Sequence, residues 1–341
     1  MNLESEKYAN PVVVEFRRGG APEAWHRGAW CVRRNGAALA AAGDVDRLYF
    51  MRSASKFFQA VPTVMAGAAE RFGLGDREIA LMCASHGGEP DHVETVRGML
   101  GRAGLGADDL ACGAHAPLYG PAAAALRERG QKPTRLHNNC SGKHAGMMLG
   151  ALAMGAPTSN YVDPAHPIQR AIIDLVRDLG EVGGDAFEVM IDGCSAPTFR
   201  TSLLHAATAF ENFAAPQRRM GAAFAAAAHR IVGALEREPR MIAGTDRFCT
   251  TVIEATRGRV FAKVGADGFY GAFAPKDGIG IALHIDDGNW SASERLLTAL
   301  LDALGLVDER AKAALARFDE RVRRNHAGLV VGDVQVSLPG F

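Results

Sequence analysis

Strand-forming sequence stands at both ends of this 341-residue chain, and helix-forming sequence fills the middle. Residues 12–16 (VVVEF) and 29–32 (AWCV) have strand length and strand-like residues, and Asn35-Gly36 is a two-residue hairpin signal before a further short strand. Strand patterns return at 259–264, 269–274 and 279–285, parted by turns containing Gly and Asp. Between 53 and 251 the pattern is mainly helical. Pro121 opens an alanine-rich helix that closes at Gly130. Ile168, Ile172, Leu175 and Leu179 recur at helical spacing before a Gly180 cap, and 203–236 reads as two helices broken near Pro216. Helices over 291–304 and 308–323 follow. A sheet drawn from both ends has to close across the helical insert, and its short turns favour antiparallel pairing. The expectation is a mixed α and β fold. Residues 1–52 and 245–341 form a sheet-containing region and 53–244 a mainly helical one, in one continuous functional unit.

Bulk properties exclude several classes. Hydrophobic residues make up 48% and charged residues 22%, which is ordinary globular composition. The 38 basic and 38 acidic residues balance, so no nucleic-acid footprint or polybasic membrane surface is expected. Residues 1–16 carry only a short apolar run, too short for a secretory signal or a membrane span, and a cytoplasmic location is expected. The six cysteines are scattered with no CxxC, as reduced packing thiols or site ligands are.

Only seven of the basic residues are lysines, against 31 arginines, and three of the seven sit in small-residue motifs. Arginine stays charged at ordinary pH, whereas a buried lysine beside another cation can become a neutral amine. In Arg52-Ser53-Ala54-Ser55-Lys56 a helix starting at Ser53 would put Lys56 on the same face, able to take the serine proton during attack on a carbonyl. Eleven serines and seven lysines give about 0.2 chance occurrences of SxxK, so a capping serine beside a solvated lysine is the plain alternative. Cys83-Ala84-Ser85-His86-Gly87-Gly88-Glu89 offers a second serine beside a glycine pair suited to a sharp turn or a close ligand approach. Lys263-Val264-Gly265 ends a predicted strand, so Lys263 can lie at a sheet edge facing the SxxK helix. SxxK early with K-x-G late is the arrangement of serine acyl-transferases of the β-lactamase group. Cys140, Lys143 and Cys194, with Asp192 close to Cys194 in sequence, could hold Zn²⁺ with one open position, although isolated cysteines more often pack as buried apolar groups.

Taken together, these motifs resemble the rhizobial-type L-asparaginases (asparaginase II family). The matching segments are Arg52-Ser53-x-x-Lys56, 83–89, His137 to Gly146, Asp163-Pro164-x-His166-Pro167-Ile168-Gln169, Asp192-Gly193-Cys194 and Lys263-x-Gly265-Ala266-x-Gly268. The resemblance implies a serine β-lactamase-like fold and hydrolysis of L-asparagine to L-aspartate and ammonia. It also implies two Ser–Lys pairs, Ser53 with Lys56 and Ser85 with Lys263, and zinc ligands Cys140, Lys143 and Cys194 with Asp192 and His144 nearby. On this reading Ser53 forms the acyl-enzyme, N–H groups near Ser53 and Gly265 stabilise the oxyanion, and Ser85 with Lys263 passes a proton to ammonia. Arg52, His144, Asp192 and Gly265 bind substrate or support the site. Lys276 is a second candidate for the late lysine, although Pro275-Lys276-Asp277-Gly278 reads as a turn. A homodimer acting on a small molecule, with no nucleic-acid or membrane partner, is expected. The alternatives are a glutaminase or other β-lactamase-like amide hydrolase, and a non-catalytic zinc or amino-acid sensor.

Overall fold

A computed structural model describes residues 10–218 and 220–341. Eleven strands lie among the described residues: β1 (Val12–Arg18), β2 (Ala21–Arg34), β3 (Ala37–Ala42), β4 (Leu48–Phe50), β5 (Phe187–Ile191), β6 (Pro197–Ser202), β7 (Phe261–Val264), β8 (Phe269–Ala274), β9 (Ile279–Ile285), β10 (Val322–Arg324) and β11 (Val330–Val336). The main sheet runs β10-β11-β1-β2-β9-β8-β7, with β3 also paired to β2. Its pairings are antiparallel, and its strands come from both ends of the chain as expected. Asn35 and Gly36 both take positive φ, 57° and 80°, which is the backbone a type I′ hairpin turn demands between β2 and β3.

The sequence reading missed β10 and β11 near the end of the chain and a second sheet in its middle. Residues 308–323 are not one helix: the helix is Glu309–Leu315, and β10 begins at Val322. A second, three-stranded sheet, β4-β6-β5, crosses the otherwise helical middle. Its strands are too short, and lie too close to helices, for the sequence pattern to stand out.

The helix Leu203–Ala214 lies across β2, β8 and β9 and joins sheet to helical region through Phe210 and Phe213. Gly280 on β9 permits this contact. A Cβ there would sit 2.2 Å from the Glu211 nitrogen and 2.3 Å from the Ala207 carbonyl. On the other side of the site, helices Lys56–Met65, Asp76–Met82 and Ser141–Ala153 pack together. Gly142 lets the last of these approach the Leu81 carbonyl, which would lie 2.5 Å from an added Cβ. β7 forms one edge of the main sheet and packs against the 3-10 turn Arg52–Ser55, which places Lys263 beside the SxxK segment.

Candidate active site

Ser85 is where the scarce lysines meet. It lies in a buried irregular segment after the helix Asp76–Met82, held because its N–H donates to the Ile242 carbonyl and that of His86 to the Asn139 carbonyl. The Gly88 N–H donates to His86 Nδ1 at 3.1 Å, so Nε2 carries the ring proton and donates to Ser141 Oγ at 2.9 Å. Burial, with the neighbouring His92, holds the His86 imidazole well below its ordinary pKa and therefore neutral. A neutral histidine thus ties the Ser85 segment to the start of the helix Ser141–Ala153.

Two buried amines approach Ser85 Oγ, Lys56 Nζ at 2.9 Å and Lys263 Nζ at 2.8 Å. Lys56 also donates to the Ala84 carbonyl at 2.6 Å and to Cys140 Sγ at 3.1 Å. Lys263 donates to the Val264 carbonyl at 3.0 Å. Burial drives the Lys263 pKa down to about 7; the Cys249 sulfur opposes the fall and Lys56 reinforces it. The structure brings Ser85 and Lys263 together. It does not form the direct Ser53–Lys56 hydrogen bond, because Lys56 spends its donors on Ala84, Ser85 and Cys140. The Ser53 hydroxyl, half-buried in the turn Arg52–Ser55, has no hydrogen-bond partner among the described residues. Lys276 is exposed in the turn between β8 and β9, so Lys263 is the late lysine at this site.

Arg52 takes a left-handed backbone (φ 47°) immediately before Ser53, an uncommon conformation outside glycine. Its side chain holds Asp192 and Asp267, both at 2.6 Å. Asp192 in turn lies 3.8 Å from Cys194 Sγ, to which Lys143 Nζ donates at 3.0 Å. The Cys140 thiol donates to Asn139 Oδ1 at 3.3 Å. The influence of the Cys140 thiol, aided by Lys143 and His144 and opposed by burial, pulls Cys194 far below the ordinary thiol range. Cys194 and burial push Cys140 well up. Burial disfavours the Lys143 ammonium, but the Cys194 and Cys140 sulfurs and Asp192 outweigh it and hold the amine above its ordinary range.

Two sulfurs and one amine therefore converge in one buried cluster, and His144 Nε2 nearby is buried with no hydrogen-bond partner among the described residues. The donor set fits a thiophilic divalent ion when lysine is counted as a ligand. Among the described residues no group of three or more His, Cys, Asp or Glu side chains is placed to hold a metal.

The N–H of Gly265 itself is not free to meet an oxyanion. Its N–H already donates to the Phe269 carbonyl at 2.8 Å, closing the turn between β7 and β8. A Cβ there would lie 2.8 Å from the Met51 carbonyl, so glycine at this position lets the strand approach the Ser53 turn. Sequence reasoning named His86 within a motif without a role of its own, and it gave none to Cys249 or Tyr270. Cys249 reaches the site only through tertiary packing, and no spacing in the chain signals it.

A sequence profile of the family described as L-asparaginase II matches residues 14–336. No curated protein matches the sequence. Similar solved structures include a putative β-lactamase from Bacteroides dorei, with 14% identity over 81% of this chain and 93% of that one and a TM-score of 0.41. Others are a class C β-lactamase from Rhodobacter sphaeroides (16% identity, 85% and 93% coverage, TM-score 0.39) and a β-lactamase from Mycobacterium bovis (13%, 86% and 95%, TM-score 0.37). The assignment rests on the profile match, which spans nearly the whole chain and includes every motif residue of the site: this protein belongs to the L-asparaginase II family.

Proposed function

We propose that the protein hydrolyses the side-chain amide of L-asparagine to L-aspartate and ammonia through a serine acyl-enzyme. The observation that carries this reading is Ser85 Oγ held between two buried lysine amines at 2.9 and 2.8 Å. Ser53 Oγ, half-buried and unpaired, attacks the amide carbon and gives its proton to Lys56 once substrate draws the two together. Catalytic hydrogen bonds are often long before substrate binds. Ser85 passes a proton from the lysine pair to the departing nitrogen, which leaves as ammonia, and water cleaves the aspartyl ester. The Ser53 N–H, in the first turn of its segment, would stabilise the oxyanion that forms on the amide oxygen.

Cys140, Lys143 and Cys194 would hold Zn²⁺, with Asp192 and His144 beside them. When bound, the ion supplies a Lewis-acidic contact for the substrate's α-amino or carboxylate group. Arg52 keeps Asp192 in place for that arrangement. The same reading takes the protein to be a cytoplasmic homodimer.

A coupled ammonia assay tests the proposal. Asparagine should be turned over, glutamine and a chromogenic β-lactam far less, and Ser53→Ala should lower kcat by about 10³-fold or more. Ammonia release from glutamine alone would make the protein a glutaminase. Saturable asparagine binding without ammonia would make it a sensor. A Ser53→Ala enzyme with near-normal turnover would shift the nucleophile to Ser85.

A further inference from the structure

Behind Lys263 lies a buried set of side chains that the proposed reaction does not use. β7 is an edge strand, paired only with β8, so its outward N–H groups lack a neighbouring strand to accept them. At Val264 that acceptor is a sulfur: the N–H donates to Cys249 Sγ at 3.4 Å. The carbonyl of the same residue accepts from Lys263 Nζ at 3.0 Å. Both peptide groups of Val264 are thus engaged, one by the cysteine and one by the amine that faces Ser85.

Cys249 is 2% exposed near the start of the helix Phe248–Ala255, which packs on β7. Its sulfur is 3.9 Å from the Tyr270 hydroxyl, on the residue directly opposite Val264 across β7 and β8. Tyr270 is itself buried and donates to Glu294 Oε1 at 3.3 Å, on the helix Trp290–Ala303. Glu294 is raised to about 7, mainly by burial, with Tyr270, Arg247, Trp290 and Arg295 opposing. The groups acting on Lys263 are Ser85, Lys56, Cys140, Cys249 and Arg247. Of these, the Cys249 and Cys140 sulfurs favour its charged form, while Lys56 and Arg247 disfavour it.

We propose that Cys249, steadied by Tyr270 and Glu294, is a positioning residue for Lys263. Its sulfur caps the open edge of β7, and through Val264 it fixes the amine against Ser85. The proposal rests on the reading of Lys263 as a proton carrier in catalysis. A cysteine suits the position because it is a small apolar side chain whose sulfur can still accept a hydrogen bond weakly.

With seven lysines in the chain, ¹³Cε-lysine NMR can follow the Lys263 amine directly, without any assay of turnover. Cys249→Ala should move the Lys263 midpoint acidward by ~0.5 unit or more, because a group that favours the ammonium is lost. It should also lower kcat for asparagine by about 10-fold with KM little changed. Cys249→Ser, whose oxygen can accept from Val264, should bring both values back most of the way. An unmoved midpoint in Cys249→Ala, or a Cys249→Ser variant as far displaced as Cys249→Ala, overturns the proposal. Tyr270→Phe keeps the ring and should shift the midpoint less in the same direction; no shift there removes Tyr270 and Glu294 from the arrangement. If the unaltered enzyme releases no ammonia from asparagine, the substrate reading fails, while the NMR titration still decides the role of Cys249.

Discussion

Ser85 stands between two lysines whose amines cannot be replaced by guanidinium groups, and the pH dependence of the protein follows from one of them. Lys263 releases its proton at about 7 in the folded chain, against about 10.4 for an unfolded lysine. Turnover should therefore rise with pH through about 7, and Lys263→Arg should keep the charge and lose that limb together with at least ~10²-fold in kcat, read in the ammonia assay. Stability should follow a related course. The burial penalty is complete below about pH 7, where both states hold the proton, and is relieved as pH climbs toward about 10.4, because only the unfolded chain remains protonated in that window. At the neighbouring cluster, Cys194→Ser should weaken zinc binding by ~100-fold in a competition titration, while Cys31→Ala in β2 leaves it unchanged. Much of the site could be read from residue types. The lysines stood out because they were few, and the motifs named both serines. The link from Lys56 to Ser85 could not be read, because the residues lie on separate elements and local periodicity carries no information about such packing.

At the level of elements, the joints between layers matter more than the elements themselves. The sequence showed the hairpin at Asn35-Gly36 and the strands 259–264, 269–274 and 279–285 because turn chemistry and residue type agreed there. It concealed β10, a three-residue Val-Arg-Arg strand with little burial that the preceding helix pattern ran into, and β11, whose burial is slight and which Gly332 and Asp333 interrupt. Nor did it explain Gly280, a plain strand glycine until the helix Leu203–Ala214 is seen lying against it. Gly280→Ala should destabilise the fold by about 1–3 kcal/mol, measured by urea unfolding, since a backbone rather than a flexible side chain must give way. Gly265 was visible as a motif glycine, but the close approach of its backbone to the Met51 carbonyl, before the Ser53 turn, was not.

Across the whole molecule, the site depends on the sheet being closed from both ends. β1 pairs with β2 on one side and β11 on the other, and the Ser337 N–H donates to the Val13 carbonyl at 2.9 Å. The two ends of the described chain are therefore neighbours. A circular permutant that keeps residues 1–9, joins Phe341 to Met1 through a flexible linker and is opened at the exposed Gly130–Gln131 bend should fold and keep kcat within ~3-fold, judged by circular dichroism and the ammonia assay. The order in which the strands are made has another consequence. β2 ends at residue 34, and its partner β9 begins only at residue 279. At roughly 5–20 residues per second, the first hairpin leaves the ribosome on the order of ten to fifty seconds before that partner exists. During that interval an apolar strand edge meant for the interior is open to other nascent chains. Shielding of that edge should therefore matter while the chain is being made, and no longer once β9 has paired with it.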